Sequence, residues 1–108
     1  MINLYDENGK LILDKRYQEI LKLDKMLSDA DIPHTLLRAM DGWVIVYPTD
    51  GEGIVMDAIE HLGSYGREAD LLEIRGLMTV EEEECDSVVG DLTAENVFNR
   101  IIKHWKGI

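Results

Sequence analysis

The single cysteine of the chain, Cys85, stands in a strongly acidic run of the sequence. It follows Glu81–Glu84 and precedes Asp86. Neighbouring carboxylates disfavour the thiolate, which is the nucleophilic form of cysteine. Consecutive residues of a helix also point about 100° apart, so four glutamates in a row cannot converge on one metal ion. The run therefore predicts neither a catalytic cysteine nor a metal site, and we predict no cofactor.

A second place where residue types suggest chemistry is His61 and the Gly63–Gly66 segment beyond it, which contains a serine and Tyr65. The segment lacks the lysine and additional glycines of a phosphate-binding loop, and it lacks the spacing of a nucleophile elbow. The three histidines of the chain form no metal-binding pattern. We predict a tight structural turn here. Two alternatives stay open: a loop in which Tyr65 contacts a partner, and a small enzyme with its site near His61 and Gly63–Gly66.

The charge of the chain is strongly negative and unevenly distributed. Eleven basic residues stand against twenty-two acidic ones, a formal charge of −11. Residues 41–98 hold two arginines against fifteen acids, a net charge of −13. This excess argues against direct binding of nucleic acid, which needs a basic surface. It predicts either a solubilising surface or one that attracts a basic partner protein. The predicted partner-binding residues are Glu81, Glu82, Glu84, Tyr65, Asp50 and Glu52.

Length and composition predict a single domain over residues 1–108. The length is close to the commonest domain size, and 45% hydrophobic residues with two prolines are typical of globular proteins. The longest apolar run, Trp43–Tyr47, is far shorter than the ~20 residues that cross a bilayer. The first residues lack the basic and apolar regions of a signal peptide. We therefore expect a cytoplasmic protein that does not contact a membrane.

The first third of the chain predicts a hairpin followed by a helix. Asn8-Gly9 favours a tight turn, which predicts an N-terminal β-hairpin over Ile2–Leu13. Apolar residues then recur at spacings of three and four over Tyr17–Ala30, as in an amphipathic helix that faces a core. Asp14 can accept hydrogen bonds from the first amides of that helix.

The middle of the chain predicts an antiparallel three-stranded meander. The strands are predicted at His34–Met40, Trp43–Tyr47 and Ile54–Glu60, and the first two are joined by a two-residue turn at Asp41-Gly42. A helix over Ile54–Leu62 also fits the apolar spacing and stays open as an alternative.

The last third predicts helices, and it completes an α+β fold. We predict a short helix over Glu68–Arg75, a second over Val80–Asp86 that begins with a capping box at Thr79, and a final helix that extends from Thr93 to Lys106. One helix would then pack on the sheet, and two or three C-terminal helices would complete the core. The predicted core residues are Leu23, Leu27, Val44, Val46, Leu71, Val97 and Ile101.

Several short segments of the sequence together resemble a known family. They are Asp41-Gly42-Trp43, most of Ile59–Gly66, most of Asp70–Leu77 and most of Asp86–Ile101. With them, residues 15–105 resemble a family of small uncharacterised proteins from phages, prophages and mobile elements of Gram-positive bacteria. The resemblance implies an accessory protein that works inside a bacterial host, and it carries over no functional residue.

Three functions are consistent with these observations. The first is a non-enzymatic acidic interaction module that binds a host or phage protein. The second is a nucleic-acid mimic that inhibits a nucleic-acid-binding protein by occupying its basic cleft. The third is the small enzyme with a site near His61.

Overall fold

The computed structural model describes residues 17–49, 52–60 and 70–107. The predicted N-terminal hairpin, Asp14 and the predicted Gly63–Gly66 turn lie outside these ranges. The elements within them are, in order, α1 (Gln18–Asp29), β1 (Thr35–Ala39), β2 (Gly42–Tyr47), β3 (Met56–Glu60), β4 (Leu72–Arg75), α2 (Val80–Cys85), β5 (Val89–Leu92) and α3 (Ala94–Lys106).

The strands form a five-stranded antiparallel sheet in the order β1-β2-β3-β4-β5. The α+β prediction is confirmed, but the meander has five strands among the described residues rather than three. The third predicted strand is present as β3, and the alternative helix over Ile54–Leu62 is wrong. Met56, Ala58 and Glu60 alternate along β3 and are all buried, which is the period of a strand.

Strand β4 replaces the short helix that the sequence predicted over Glu68–Arg75, so that prediction is wrong. Leu72 and Ile74 are fully buried, and Ile74 lies opposite Ala58 of β3. The segment is too short for its apolar spacing to separate the two structures, and pairing with β3 decides between them. Gly76, just beyond the strand, has a φ of +93°, and a Cβ there would collide with the Val55 carbonyl oxygen.

Strand β5 was not predicted, and its own residues explain why. It contains Gly90 and Asp91, both depleted in strands, and Asp91 has a φ of +57°. Its pairing with β4 shifts in register between the Leu72↔Leu92 pair and the Ile74↔Val89 pair. An irregular edge strand of this kind depends on its neighbour more than on its own pattern.

The turn between β1 and β2 lies one residue earlier than predicted. Ala39 pairs with Gly42, so the two turn residues are Met40 and Asp41 rather than Asp41 and Gly42. Both have positive φ, +48° and +58°, as a type I′ hairpin turn requires. The Tyr17 hydroxyl donates a hydrogen bond to the Asp41 carbonyl oxygen and thereby attaches this turn to the start of α1.

The core lies between one face of the sheet and the helices α1 and α3, which also pack against each other. Five of the seven predicted core residues are buried: Leu23, Leu27, Val46, Val97 and Ile101. Val44 and Leu71 are only partly buried. Val44 lies opposite the exposed Leu37 of the edge strand β1, on the sheet face turned away from the helices. None of the described helices is long and apolar enough to span a membrane.

Candidate functional site

Helix α2 is held in place by polar contacts rather than by the core. Thr79 and Glu82 form the predicted capping box: the Thr79 hydroxyl accepts from the Glu82 amide, and the Glu82 carboxylate accepts from the Thr79 amide. Glu82 also forms two hydrogen bonds of 2.7 Å with the Arg100 guanidinium of α3. None of the residues of α2 is buried. The helix therefore has a fixed position without a share in the core.

The ion pair changes the ionisation of both partners. The hydrogen bonds from Arg100 lower the pKa of the Glu82 carboxyl to about 2, with a further contribution from the Thr79 amide. The bond to Glu82 raises the pKa of Arg100. Arg100 also donates to the Leu77 carbonyl oxygen at 3.1 Å, so one side chain fixes both the helix and the segment that leads into it.

The predicted partner-binding residues on α2 have two different surroundings. Glu81 and Glu84 are exposed, as is Glu83 between them, and none of the three is in an ion pair with another described residue. Glu82 is only partly exposed and is committed to Arg100. Val80, at the start of the helix, is 67% exposed. The helix thus presents three carboxylates and one aliphatic side chain to solvent.

The remaining predicted residues are described only in part. Glu52 is exposed in the connection between β2 and β3, whereas Asp50 and Tyr65 lie outside the described ranges. In the β3–β4 register, Asp57 near the start of β3 lies opposite Arg75 at the end of β4. The β2–β3 connection and the segment that leads into α2 are therefore at the same end of the sheet. Glu52 and α2 therefore share one end of the molecule.

An open groove of about 450 Å³ lies beside α2, a volume within the range of ligand pockets. One wall is the segment between β4 and α2, with Leu77, Met78 and Thr79. The other is the second half of α3, with Arg100, Lys103 and His104. This groove was not predicted from the sequence, although the spacing of three and four between these α3 residues places them on one helix face.

A buried tyrosine orients one side chain of that groove. The Tyr47 hydroxyl lies 2.7 Å from Nδ1 of His104, and the two rings meet edge to face at 88°. Tyr47 is 1% exposed, and burial raises the pKa of its hydroxyl. A buried hydroxyl proton needs an acceptor, so we assign the hydroxyl as donor to Nδ1. With Nδ1 as the acceptor, the ring N–H lies on Nε2.

The other histidines have different surroundings. His34 lies between Asp24 of α1, at 2.8 Å from Nε2, and the Ile32 carbonyl oxygen, at 2.8 Å from Nδ1. This bridge connects the middle of α1 to the residue that precedes β1. His61, with the alternative enzyme site, lies outside the described ranges. Cys85 is exposed. In the part of the chain that the structure describes, no group of three acidic, histidine or cysteine side chains is arranged to hold a metal ion.

A fully buried carboxyl lies at the opposite end of the sheet from α2. Glu60 closes β3 directly across from Trp43 of β2, and it is 0% exposed. Among the described residues, neither of its oxygens, nor Nε1 of Trp43, has a hydrogen-bond partner of good geometry. Burial, the nearby Asp70 carboxyl and the charge of Glu19 raise the pKa of Glu60 to about 10. The sequence carried a signal of this site, because Glu60 continues the buried face of Met56 and Ala58.

The acidic neighbours of Glu60 connect separate elements. The Asp70 carboxylate accepts hydrogen bonds from the Gln18 and Glu19 amides, at 3.2 and 3.4 Å, and so caps the start of α1. Glu19 in turn accepts from the Ala94 amide at the start of α3, at 2.8 Å. Two helix N-termini are thus satisfied by carboxylates distant in sequence.

Comparison with known proteins adds no relative from which a function transfers. No protein-family model, curated protein or solved structure matches the chain.

Proposed function

We propose that the protein is a non-enzymatic interaction module that binds a basic surface of another protein through α2. The observation that carries the proposal is the way α2 is held: a capping box and the Arg100 ion pair fix a helix that buries no side chain. A short helix is marginal by itself and normally stays folded by burying an apolar face. Here polar contacts replace that face and leave the exposed carboxylates in a defined arrangement.

The partner class follows from the charge and the resemblance. Three exposed glutamates at one end of the sheet, with Glu52 at the same end, attract a basic surface and accelerate encounter with it. We extend the proposal to a host or phage protein in the bacterial cytoplasm as the partner, which is what the resemblance of the sequence motifs to proteins of phages and mobile elements implies. The exposed Val80, at the start of the same helix, supplies apolar contact area beside these carboxylates.

The two other functions draw less support. At 1.5 Å per residue, the six residues of α2 extend about 9 Å. Duplex DNA places roughly five charges in that length, and α2 exposes Glu81, Glu83 and Glu84, so its row is shorter and less dense than a mimic requires. For an enzyme near His61, the carboxyl of Glu60 has an altered pKa, but a general acid must reach its substrate and this one is fully buried.

The test is capture of partners from a Gram-positive bacterial lysate, followed by association kinetics of the captured protein. Glu81→Gln, Glu83→Gln and Glu84→Gln together should slow association by about tenfold at low salt, with little change in dissociation. The wild-type rate should fall with ionic strength, because exposed charges are screened beyond ~10 Å at 0.1 M salt.

The matched control removes two charges elsewhere on the surface and is compared with Glu81→Gln and Glu84→Gln together. Asp41→Asn and Asp91→Asn remove the same amount of negative charge from exposed side chains in the β1–β2 turn and in β5, towards the end of the sheet opposite α2 and Glu52. An equal slowing by both sets of substitutions would reduce the effect to net charge and contradict a role of α2.

A further inference from the structure

We propose that the groove between the β4–α2 segment and α3 binds the C-terminal residue of a peptide chain, with its carboxylate on α3 and its aliphatic side chain on Leu77 and Met78. This inference does not depend on the basic partner proposed for α2. It assigns a second recognition site of opposite charge preference beside that helix.

Three side chains of the groove can donate hydrogen bonds to a ligand. Lys103 is exposed and makes no ion pair with another described residue, so its ammonium is available. His104, acceptor of the Tyr47 proton at Nδ1, offers the N–H of Nε2. The Thr79 hydroxyl oxygen accepts from the Glu82 amide, which leaves its own proton to donate. Such a set suits an anion, because the Lys103 ammonium and the Nε2 N–H of His104 can only donate, and the Thr79 hydroxyl can donate as well.

The apolar wall has a backbone conformation that bulky residues seldom adopt. Leu77 has a φ of +53°, which is uncommon for a bulky residue and persists where surrounding contacts impose it. One such contact is the hydrogen bond from Arg100 to its carbonyl oxygen. Another is the close approach of the preceding Gly76 to Val55 and Met56. Leu77 and Met78 are partly buried and line the groove next to the donors.

Both walls are therefore arranged before any ligand arrives. Arg100 connects the apolar wall to α2, and Tyr47 fixes the His104 ring from the core. An oriented His104 ring and a fixed apolar wall reduce the ordering cost that binding would otherwise carry. Arg100 itself is neutralised by Glu82, so Lys103 provides the unmatched charge.

The size and chemistry of the groove favour a chain terminus. The aliphatic wall of Leu77 and Met78 and the cationic side chain of Lys103 line the same open space of about 450 Å³. A single residue of a ligand can therefore contact both. A C-terminal residue carries an aliphatic side chain and a carboxylate on the same Cα, and capture of that carboxylate is a known mode of peptide recognition. An internal acidic residue offers only one of the two groups.

The probe is N-acetyl-leucine, titrated into the isotope-labelled full chain and followed by two-dimensional NMR. We expect saturable amide shifts confined to residues 77–79 and 100–104, with millimolar affinity. Two control compounds separate the walls: N-acetyl-leucinamide lacks the carboxylate, and N-acetylglycine lacks the side chain. Each should bind about fivefold more weakly or worse.

Variants on α3 give the decisive comparison. Lys103→Gln should weaken N-acetyl-leucine about fivefold, whereas Lys106→Gln, one turn further and outside the groove, should leave affinity unchanged. Tyr47→Phe should also weaken binding, because the His104 ring loses the bond that orients it.

Three results would overturn the proposal. One is the absence of saturable shifts at the groove; another is equal affinity for the carboxylate and the amide. The third is equal binding of the internal dipeptide acetyl-Asp-Leu-amide, which would show that a chain terminus is not what the groove selects. None of these outcomes depends on whether α2 binds a basic protein.

Discussion

Glu60 ends strand β3, whereas Glu82 lies in α2 beyond the opposite end of the sheet, and the fold shifts the pKa values of the two carboxyls in opposite directions. Glu82 is 25% exposed in its side chain, pairs with Arg100, and its pKa falls to about 2. Glu60 is fully buried, has carboxyl neighbours, and its pKa rises to about 10. Partners decide the outcome together with burial: a guanidinium stabilises the carboxylate, whereas apolar surroundings and a second carboxyl favour the protonated acid. The first arrangement holds α2 at the surface, and the second places a neutral acid in the core.

A substitution in the apolar core is expected to change the free energy of unfolding more than a substitution in either polar region. Ile101 is fully buried on α3, next in sequence to Arg100. Ile101→Ala should lower the free energy of unfolding by ~2–5 kcal/mol, through lost burial and the cavity that remains. Chemical denaturation of the variant measures this. A loss below that of Arg100→Gln would mean that polar contacts, not the core, dominate the stability of α3.

Glu60→Gln is expected to stabilise the protein at pH 8, by about 1–3 kcal/mol. The folded pKa lies above the ordinary value of 4.5, so between about pH 4.5 and 10 the folded protein holds a proton that the unfolded chain releases. Stability from this group is complete below pH 4.5 and decreases as the pH rises towards 10. Glutamine does not titrate, so the Glu60→Gln variant lacks this loss of stability at high pH.

Thermal melts across pH test this expectation. The alkaline decline of the wild type should become shallower in Glu60→Gln, with Glu52→Gln, an exposed glutamate, as control. An alkaline decline equally steep in the wild type and in Glu60→Gln would contradict a protonated Glu60 in the fold.

Arg100→Gln should cost about 1–2 kcal/mol, less than the core truncation, because the pair is partly exposed. It removes the partner of Glu82 and a donor to Leu77. The pH dependence is opposite to that of Glu60: the stability that Glu82 contributes is present above pH 4.5 and is lost as the pH falls towards 2. A double-mutant cycle with Glu82→Gln, measured at pH 7 and pH 3, isolates the pair. A coupling energy that did not shrink at pH 3 would contradict an ionic origin.

The elements that could be predicted from the sequence are those whose signals are local. Helix α2 begins with a capping box contained in four residues, and α3 follows the N-cap Thr93 and ends before Gly107, which has a φ of +72°. Helix α1 carries an apolar period over twelve residues. Strands β4 and β5 have four residues each, so their structure depends on pairing with distant neighbours.

The candidate sites divide in the same way. The exposed acids of α2 could be predicted, because a glutamate run behind a capping box is a surface helix. The ion pair that holds α2 in place could not be predicted, since Arg100 lies 18 residues from Glu82. Asp70 caps α1 from 52 residues away, a contact that no local pattern encodes. The groove likewise needs two segments that only the tertiary fold brings together.

The smallest expected effect separates Glu82 from its neighbours on α2. Glu81→Gln and Glu84→Gln should each change the free energy of unfolding by less than ~0.5 kcal/mol, because both side chains are exposed and make no ion pair with another described residue. Glu82→Gln should cost more, since it weakens both the capping box and the Arg100 pair. Denaturant melts of the three single variants provide the measurement. If Glu81 or Glu84 proved as costly as Glu82, the exposed carboxylates would be part of what folds the helix and would not be held ready for a partner. If they are neutral for stability and still control association, the fold and the recognition surface are carried by different glutamates of one run.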